Sequence, residues 1–317
     1  MGRGLAVPLA VFLVGVPFLL TGYWVRVLTD VFMYAILAGA WNLIAGYAGY
    51  PAFGNVVFFG TGAYTTAILM VKVDLPFLVS LLAGGLFSFL YAGLLGPPVL
   101  RLKGHYFAIA TVALDLATRE VVFNMTGLTG GGSGLTLPLS PLSPKAFFGR
   151  IYFLMLGILL LTILVTLVIS GSRFGYGLRA IRADEDGAAT LGVNTTLYKT
   201  AAWALSALFT GLAGGTYAYW TTYIEPSVVF DMRIAAQFTI MVFLGGAGTV
   251  LGPVLGAVIL VLLSDLIWSR FLHLHTAILG FIIVLVVVFL PRGLMDFFTG
   301  GRFDLASLRR SLQEHRI

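Results

Sequence analysis

Long apolar runs recur along the whole chain and leave no room between them for a sizeable soluble domain. A helix needs about 20 apolar residues to cross the hydrocarbon core of a bilayer. About ten segments meet that need, at roughly 5–22, 29–48, 54–71, 76–100, 106–124, 151–170, 200–222, 233–250, 253–270 and 276–290. The second, third and eighth contain several Gly or polar residues, so the span count runs from about eight to eleven. Charge is correspondingly scarce: 10% of the 317 residues are charged, 59% are hydrophobic, and the mean hydropathy is +0.99. A soluble domain carries about 25% charge and could not cover its surface with so little. The expected fold is all-α, a polytopic transmembrane helical bundle. One membrane domain covers 1–299, and a short polar tail follows at 300–317. Arg3 precedes a long apolar run with no small-residue cleavage site after Leu20, and Gly22-Tyr23-Trp24 reads as an interfacial belt, so the first segment is taken as a retained span.

Lys and Arg set the orientation. With ten spans and both termini in the cytoplasm, Arg173, Arg179, Arg182 and Lys199 fall inside, as do Arg101, Lys103 and the tail residues Arg292, Arg302, Arg309, Arg310 and Arg316. Arg26, Lys72, Lys145, Arg150 and Arg270 remain outside. This satisfies the positive-inside rule, which also accounts for the net charge of +6 without a nucleic-acid partner. The chain has no cysteine, which excludes disulfides, Fe–S clusters and thiolate metal sites. His273 and His275 would project to different sides of a helix with no third ligand nearby, so no metal is expected.

Two glycine clusters lie within or beside spans: Gly46, Gly49, Gly54, Gly60 and Gly62, and Gly245, Gly246, Gly248, Gly252 and Gly256. Small residues let helices approach closely in lipid, where no hydrophobic effect drives association. Pro51 and Pro253 beside the clusters equally suit broken helices or re-entrant turns lining a pathway.

The longest charged interruption is Ser172–Thr200, SRFGYGLRAIRADEDGAATLGVNTTLYKT. Leu178, Ile181, Ala188, Leu191 and Val193 form a sparse apolar stripe, which predicts one or two short helices on the cytoplasmic face over about 172–199. The stretch Arg179–Gly192 resembles the coupling loop of ABC importer permeases: an acidic residue, small residues, then Gly six positions on, here Asp186, Gly187, Ala188 and Gly192. Gly187 stands where the family usually has Ala. Three further stretches resemble the LivM-like branch of the branched-chain amino acid permeases. They are GYAGYPAFGNVVFFGTGAY from Gly46, RLKGHYFAIATVAL from Arg101 leading to LTGGGSGL, and VFLGGAGTVLGPVLGA from Val242 followed by LPRGL at 290–294. They cover nearly the whole chain in the family's order. Where that family often has Gln and His, this chain has Tyr50 and Asn55.

The resemblance implies a permease subunit of an ABC importer in a prokaryotic cell (inner) membrane. It would form the pathway for branched-chain or related hydrophobic amino acids, with urea, short amides and aromatic acids as alternatives in the same family. It implies a second homologous permease, two cytoplasmic ATPases and an extracytoplasmic solute-binding protein as partners. Arg179, Arg182, Glu185, Asp186, Ala188 and Gly192 would then carry the coupling to the ATPase. The four lysines, Lys72, Lys103, Lys145 and Lys199, never follow a Gly, so the chain has no P-loop and no catalytic residue or cofactor is assigned to it.

Polar residues within spans are costly, about 2.5–3.5 kcal/mol for a charge at mid-membrane on insertion scales. Asn42, Asn55, Asp115, Arg119 and Gln237 are candidates to line the pathway or act as polar glue. Asp115 and Arg119, four apart on one helix face, are expected to pair. An ion-coupled secondary transporter would need paired acids deep in adjoining helices, for which Asp30, Asp115 and Asp265 are thin material. A membrane enzyme would need a cluster of His, Asp or Glu that four scattered histidines do not supply. The charge asymmetry predicts that reporter fusions at Arg182 and Arg310 read cytoplasmic and at Gly131 external; a cytoplasmic signal at Gly131 contradicts the ten-span arrangement.

Overall fold

The structure, a computed structural model, describes residues 22–270 and the single positions 15, 17, 294 and 295. The first and tenth expected spans, at 5–22 and 276–290, and the tail at 300–317 lie outside the described residues, apart from those isolated positions and Gly22. The rest is helical: α1 Gly22–Asn42, α2 Val56–Lys72, α3 Phe77–Val99, α4 His105–Asn124, α5 Thr126–Thr129, α6 Pro144–Gly171, α7 Arg173–Ala183, α8 Glu185–Thr190, α9 Thr195–Thr221, α10 Pro226–Val229, α11 Met232–Gly245 and α12 Gly252–Arg270. Among the described residues the only strands are β1 Leu135–Thr136 and β2 Tyr223–Ile224, paired antiparallel. Five helical segments are long and apolar enough to cross a membrane: Gly22–Tyr47, Phe53–Lys72, Phe77–Val99, Pro144–Gly171 and Pro226–Gly245. α4, α9 and α12 pack among them.

Several boundaries differ from the sequence reading. Arg26 lies within α1, and α6 begins at Pro144, so Arg26, Lys145 and Arg150 sit on helices rather than in loops. Pro144 occupies the first helical position, where its missing N–H costs nothing. α11 ends at Gly245, and α9 starts at Thr195, which places Lys199 inside a helix.

Side-chain pairings give the helices alternating directions. Tyr34 meets Gln237 and Trp41 meets Phe243, so α1 and α11 run parallel. Tyr23 donates to Asp265 at 2.6 Å while Asn42 binds Thr249, so α12 runs against α1. The segments 43–55, 100–104, 172–194 and 246–251 therefore gather at one end, here called basal. Residues 125–143 and 222–231, joined by the β1–β2 pair and a Tyr223 hydroxyl bond to Ser133 O at 3.1 Å, gather at the opposite, distal end.

The tightest packing is a three-helix core of α2, α3 and α9. Gly62 backs directly onto the Gly211 backbone, and a Cβ at Gly84 would lie 2.8 Å from Gly62 O. Ser88 donates to Gly84 O at 3.0 Å and meets Thr61 at 3.2 Å. Small residues close the gap until dispersion and hydroxyl bonds hold helices that lipid alone would not drive together. The exposed faces of α3 and α6, with Leu82, Leu90, Leu94, Leu160 and Leu164, are apolar as lipid requires.

α1 does not stop cleanly. It widens into a π-helical turn over Leu43–Tyr47, breaks at Gly49 with φ +76°, and re-enters through a 3₁₀ turn at Phe53–Asn55. Trp41 Nε1 donates to Ala52 O at 2.9 Å and Gly54 N to Thr111 Oγ1 at 3.2 Å. The broken backbone is thus buried in protein, the condition on which non-helical chain is tolerated at membrane depth. Within the first glycine cluster, Gly62 serves close packing and Gly49 serves a break in the helix.

The three-helix core predicts unequal glycine sensitivity. Gly62→Leu should destabilise the folded protein in detergent by about 1–3 kcal/mol through overpacking, whereas Gly93→Leu, with no atom within 4 Å of its would-be Cβ, should melt like the parent. Equal melting temperatures for the two variants contradict the packing described.

Candidate functional site

The 172–199 segment is built by three successive caps. Ser172 Oγ accepts from Gly175 N at 3.2 Å and starts α7; Asp184 Oδ1 accepts from Asp186 N at 3.1 Å and starts α8; Asn194 Oδ1 accepts from Leu197 N at 3.0 Å and starts α9. Such side chains satisfy the donors a helix start leaves free. Glu185 and Asp186 in the first turn of α8 complement its dipole. Leu178 and Ile181 bury the inner face of α7. The chain turns out of α8 at Gly192, whose φ of +87° suits glycine, with Val193 N bonding back to Ala188 O at 3.1 Å. Two short helices on the basal face are what the apolar stripe predicts.

Two cations fasten this segment to the bundle. Arg182 Nη1 donates to Gly46 O at 2.5 Å, in the π-turn that ends α1. Lys199 Nζ donates to Leu100 O, past the end of α3, at 2.9 Å. Carbonyls at helix C-termini lack intrahelical donors and favour positive charge, so both contacts satisfy a need of the bundle. Lys199 is 2% exposed, and its other partners are Glu185 Oε1 at 2.5 Å and the Tyr50 hydroxyl at 3.0 Å. Tyr50 in turn donates to Glu185 Oε2. The ammonium has three protons and three acceptors, and both Glu185 oxygens are used. Burial pushes the Glu185 carboxyl upward, but the bonds from Lys199 and Tyr50 outweigh it and hold the group below the ordinary glutamate range. Burial, then the bond to Glu185, push the Tyr50 phenol up, so it keeps the proton it donates. Removing one member of such a pair costs about 3–5 kcal/mol, because the other charge is left buried.

The remaining coupling-loop candidates divide. Arg179 donates to Ser170 O at 2.8 Å and lies 4.6 Å over the Tyr176 ring. Asp186 pairs with Lys103 at 2.7 Å, both well exposed, a pairing of little energetic weight. Gly192 is exposed beside Leu191, which at 84% exposure is the most protruding apolar side chain of the segment. Ala188 does not belong to that surface. It turns inward and is 3% exposed, because position 188 falls on the stripe shared with Ile181.

Among the in-membrane candidates, Asn42 clamps the 246–251 turn: its Nδ2 donates to Thr249 O and its Oδ1 accepts from Gly248 N, both at 2.8 Å. Asn55 is fully buried, donating to Ser206 at 3.1 Å and accepting from Trp203 Nε1 at 3.0 Å. Gln237 accepts from Tyr34 and is exposed on α11. The expected Asp115–Arg119 pair is not closed. Asp115 is fully buried on the α4 face that carries Thr111 and Thr118, and neither of its oxygens has a hydrogen-bond partner. Arg119, four positions on, is partly exposed and makes no ion pair with it.

Sequence reading missed Lys199 and Tyr50 as site residues. Lys199 looked like one more basic loop residue. Its signal was its place a turn beyond the Asn194 cap, in an otherwise apolar helix. Tyr50 stood out only as a departure from the family's pattern, and the structure ties it to Glu185 and Lys199.

The comparisons with known proteins agree with this architecture. The family described as branched-chain amino acid transport system / permease component matches residues 23–287. The high-affinity branched-chain amino acid transport system permease protein LivM of Salmonella typhimurium is 32% identical over 313 residues, covering 90% of this chain and 73% of that protein. LivM of Escherichia coli is 31% identical, covering 91% and 74%. The corresponding permease protein LivH of Salmonella typhimurium is 24% identical over 286 residues, covering 83% and 91%. No solved structure matches the chain.

Because the folded-state carboxyl of Glu185 titrates below its unfolded value, its stabilisation is complete above the usual carboxylate range and is lost as pH falls through the lowered folded value. Amide hydrogen exchange over 185–193 should therefore speed up on acidification below that range relative to the α2–α3–α9 core. Loosening on the alkaline side of neutrality instead would contradict the assignment.

Proposed function

The chain belongs to the branched-chain amino acid transport permease family, and from that premise we propose that it is the membrane subunit of an ATP-driven importer for branched-chain or related hydrophobic amino acids. The basal end faces the cytoplasm of a prokaryotic cell, and the chain works in the cell (inner) membrane. A second, homologous permease completes the pathway, two ATPase subunits dock from below, and an extracytoplasmic binding protein delivers substrate to the distal end.

The observation that carries this reading is the attachment of α7 and α8. A surface segment that only linked two spans would need no buried charge. Here Arg182 of α7 binds the end of α1, and Glu185 of α8 binds the buried Lys199 of α9, which also binds the end of α3, so a push on α8 reaches the spans through that ion pair. The outward surface of Arg179, Asp186, Leu191 and Gly192 is the docking face. The pathway candidates take different parts in this reading. Asn42 and Asn55 brace the broken turns, while Asp115, Arg119 and Gln237 supply polarity for a zwitterion. Asp115, with no partner in this arrangement, is the residue best placed to meet an ammonium group when the helices move.

Gly192→Val tests the docking face. Nothing within 4 Å of Gly192 would obstruct a side chain, so its φ of +87° and its exposure are what the substitution disturbs. Membrane levels should stay normal, while co-purification with the ATPase, or transport-linked ATP hydrolysis in proteoliposomes, is lost. Asp186→Lys should weaken the same association by reversing a charge that the docking face presents. Parental uptake and full ATPase retention in both variants would sink the docking assignment.

A further inference from the structure

Four segments far apart in sequence converge on one buried ammonium. Lys199 comes from α9, Glu185 from α8, Tyr50 from the break between α1 and α2, and Leu100 O from beyond the end of α3. The tyrosine closes the triangle, since its hydroxyl accepts from Lys199 while donating to Glu185. Every proton of the ammonium is used, so α8 cannot shift without stretching a bond to the α1–α2 break or leaving a charge unpaired.

The contact continues inward. The Tyr50 ring meets Phe107 edge-on with centroids 5.2 Å apart, and Phe107 meets Trp203 at 6.1 Å. Trp203 donates to Asn55 Oδ1, and Asn55 Nδ2 reaches Ser206 at 3.1 Å. Phe107 lies on α4, one turn before Thr111, whose hydroxyl holds Gly54 N, and two turns before the unpartnered Asp115. A run of packed rings and hydrogen bonds therefore joins the surface helix α8, through the re-entrant turn at 48–55, to α4 and α9. A group that served only folding would be met more cheaply by apolar side chains of similar volume, which are often neutral or stabilising in place of a buried ion pair.

We propose that Tyr50, Glu185 and Lys199 form a latch that transmits displacement of α8 to the re-entrant turn at 48–55, and that they act as positioning residues for transport. This rests on the reading of 172–199 as the segment on which the ATPase acts. Neither Tyr50 nor Lys199 touches the docking face, so their loss leaves the docking surface itself intact and breaks what lies behind it.

The test uses the assembled complex in proteoliposomes, with leucine as the probe, and reads leucine taken up per ATP hydrolysed, normalised to folded complex. Tyr50→Phe removes one hydroxyl and keeps the ring. The double variant Glu185→Gln with Lys199→Met removes both charges together, so no buried charge is stranded. Both should co-purify with the ATPase and lose about tenfold in leucine per ATP, the size expected when hydrogen bonds to charged groups carry a coupling. An unchanged ratio in both variants overturns the latch. Losses fully explained by less folded complex, with the ratio unchanged, assign the triangle to folding and also overturn it. A parental complex with no ATP-dependent leucine uptake would overturn the importer reading, and the latch with it.

Discussion

Inside a bilayer no water repairs an unmade backbone hydrogen bond, and the rest of this structure follows from how helix ends meet that condition. The last carbonyls of a helix have no donors of their own. α1 ends in a widened turn with Gly46 O bound by Arg182, and α3 ends at Leu100 with its carbonyl bound by Lys199. Arg182 comes from the surface helix α7, and Lys199 from the start of α9, where Glu185 of α8 binds it. Satisfying these helix ends therefore also anchors the surface segment. Asn42 does the equivalent for the turn after α11, reaching Thr249 and Gly248 with both ends of its amide.

The two kinds of glycine answer different demands of the same environment. Gly62 and Gly211 let α2 and α9 approach until their backbones touch, replacing a hydrophobic drive that lipid does not provide. Gly49 and Gly192 instead supply positive φ, one where α1 breaks and one where α8 ends. The first pair packs the three-helix core closely, and the second places turns at the basal end. Under the proposed function, motion applied to α8 meets a close-packed core beyond a rim of turns.

Much of this was legible in the sequence because the signals are local. Apolar length marked the spans, and the sparse apolar stripe within 172–199 marked the short surface helices. Gly192, six residues after Asp186, marked the turn out of α8. The start of α6 at Pro144 was misplaced, and Arg26 was read as loop, because charged residues beside a span can continue its helix. What was not legible was partnership across distance. Asp115 and Arg119 have the spacing of a pair and do not form one: Asp115 is fully buried with neither oxygen hydrogen-bonded, while Arg119 is partly exposed. Lys199 has no partner within helical spacing, yet binds three groups brought from 14, 99 and 149 positions away. Ala188 looked like docking surface and is core, because a stripe of small residues has two sides and sequence does not say which is inside.

Lys199 and Asp115 pose the same problem and are handled in opposite ways. Each is a charged residue type removed from water, costly unless compensated. Lys199 has every proton matched, so its burial holds four segments in one geometry. Asp115, near the middle of α4, has neither oxygen matched among the described residues. The saturated cluster lies at the basal end, and the unpartnered carboxyl near the middle of α4. Under the proposed function, the first is where a partner pushes and the second is at the depth where a solute passes. That separation places holding and yielding in different layers of the bundle, joined by the run from Tyr50 through Phe107 and Trp203 to Asn55. A transporter needs both properties, and a single layer could not supply them at once: a site rigid enough to carry force would be too well satisfied to change partners with each cycle.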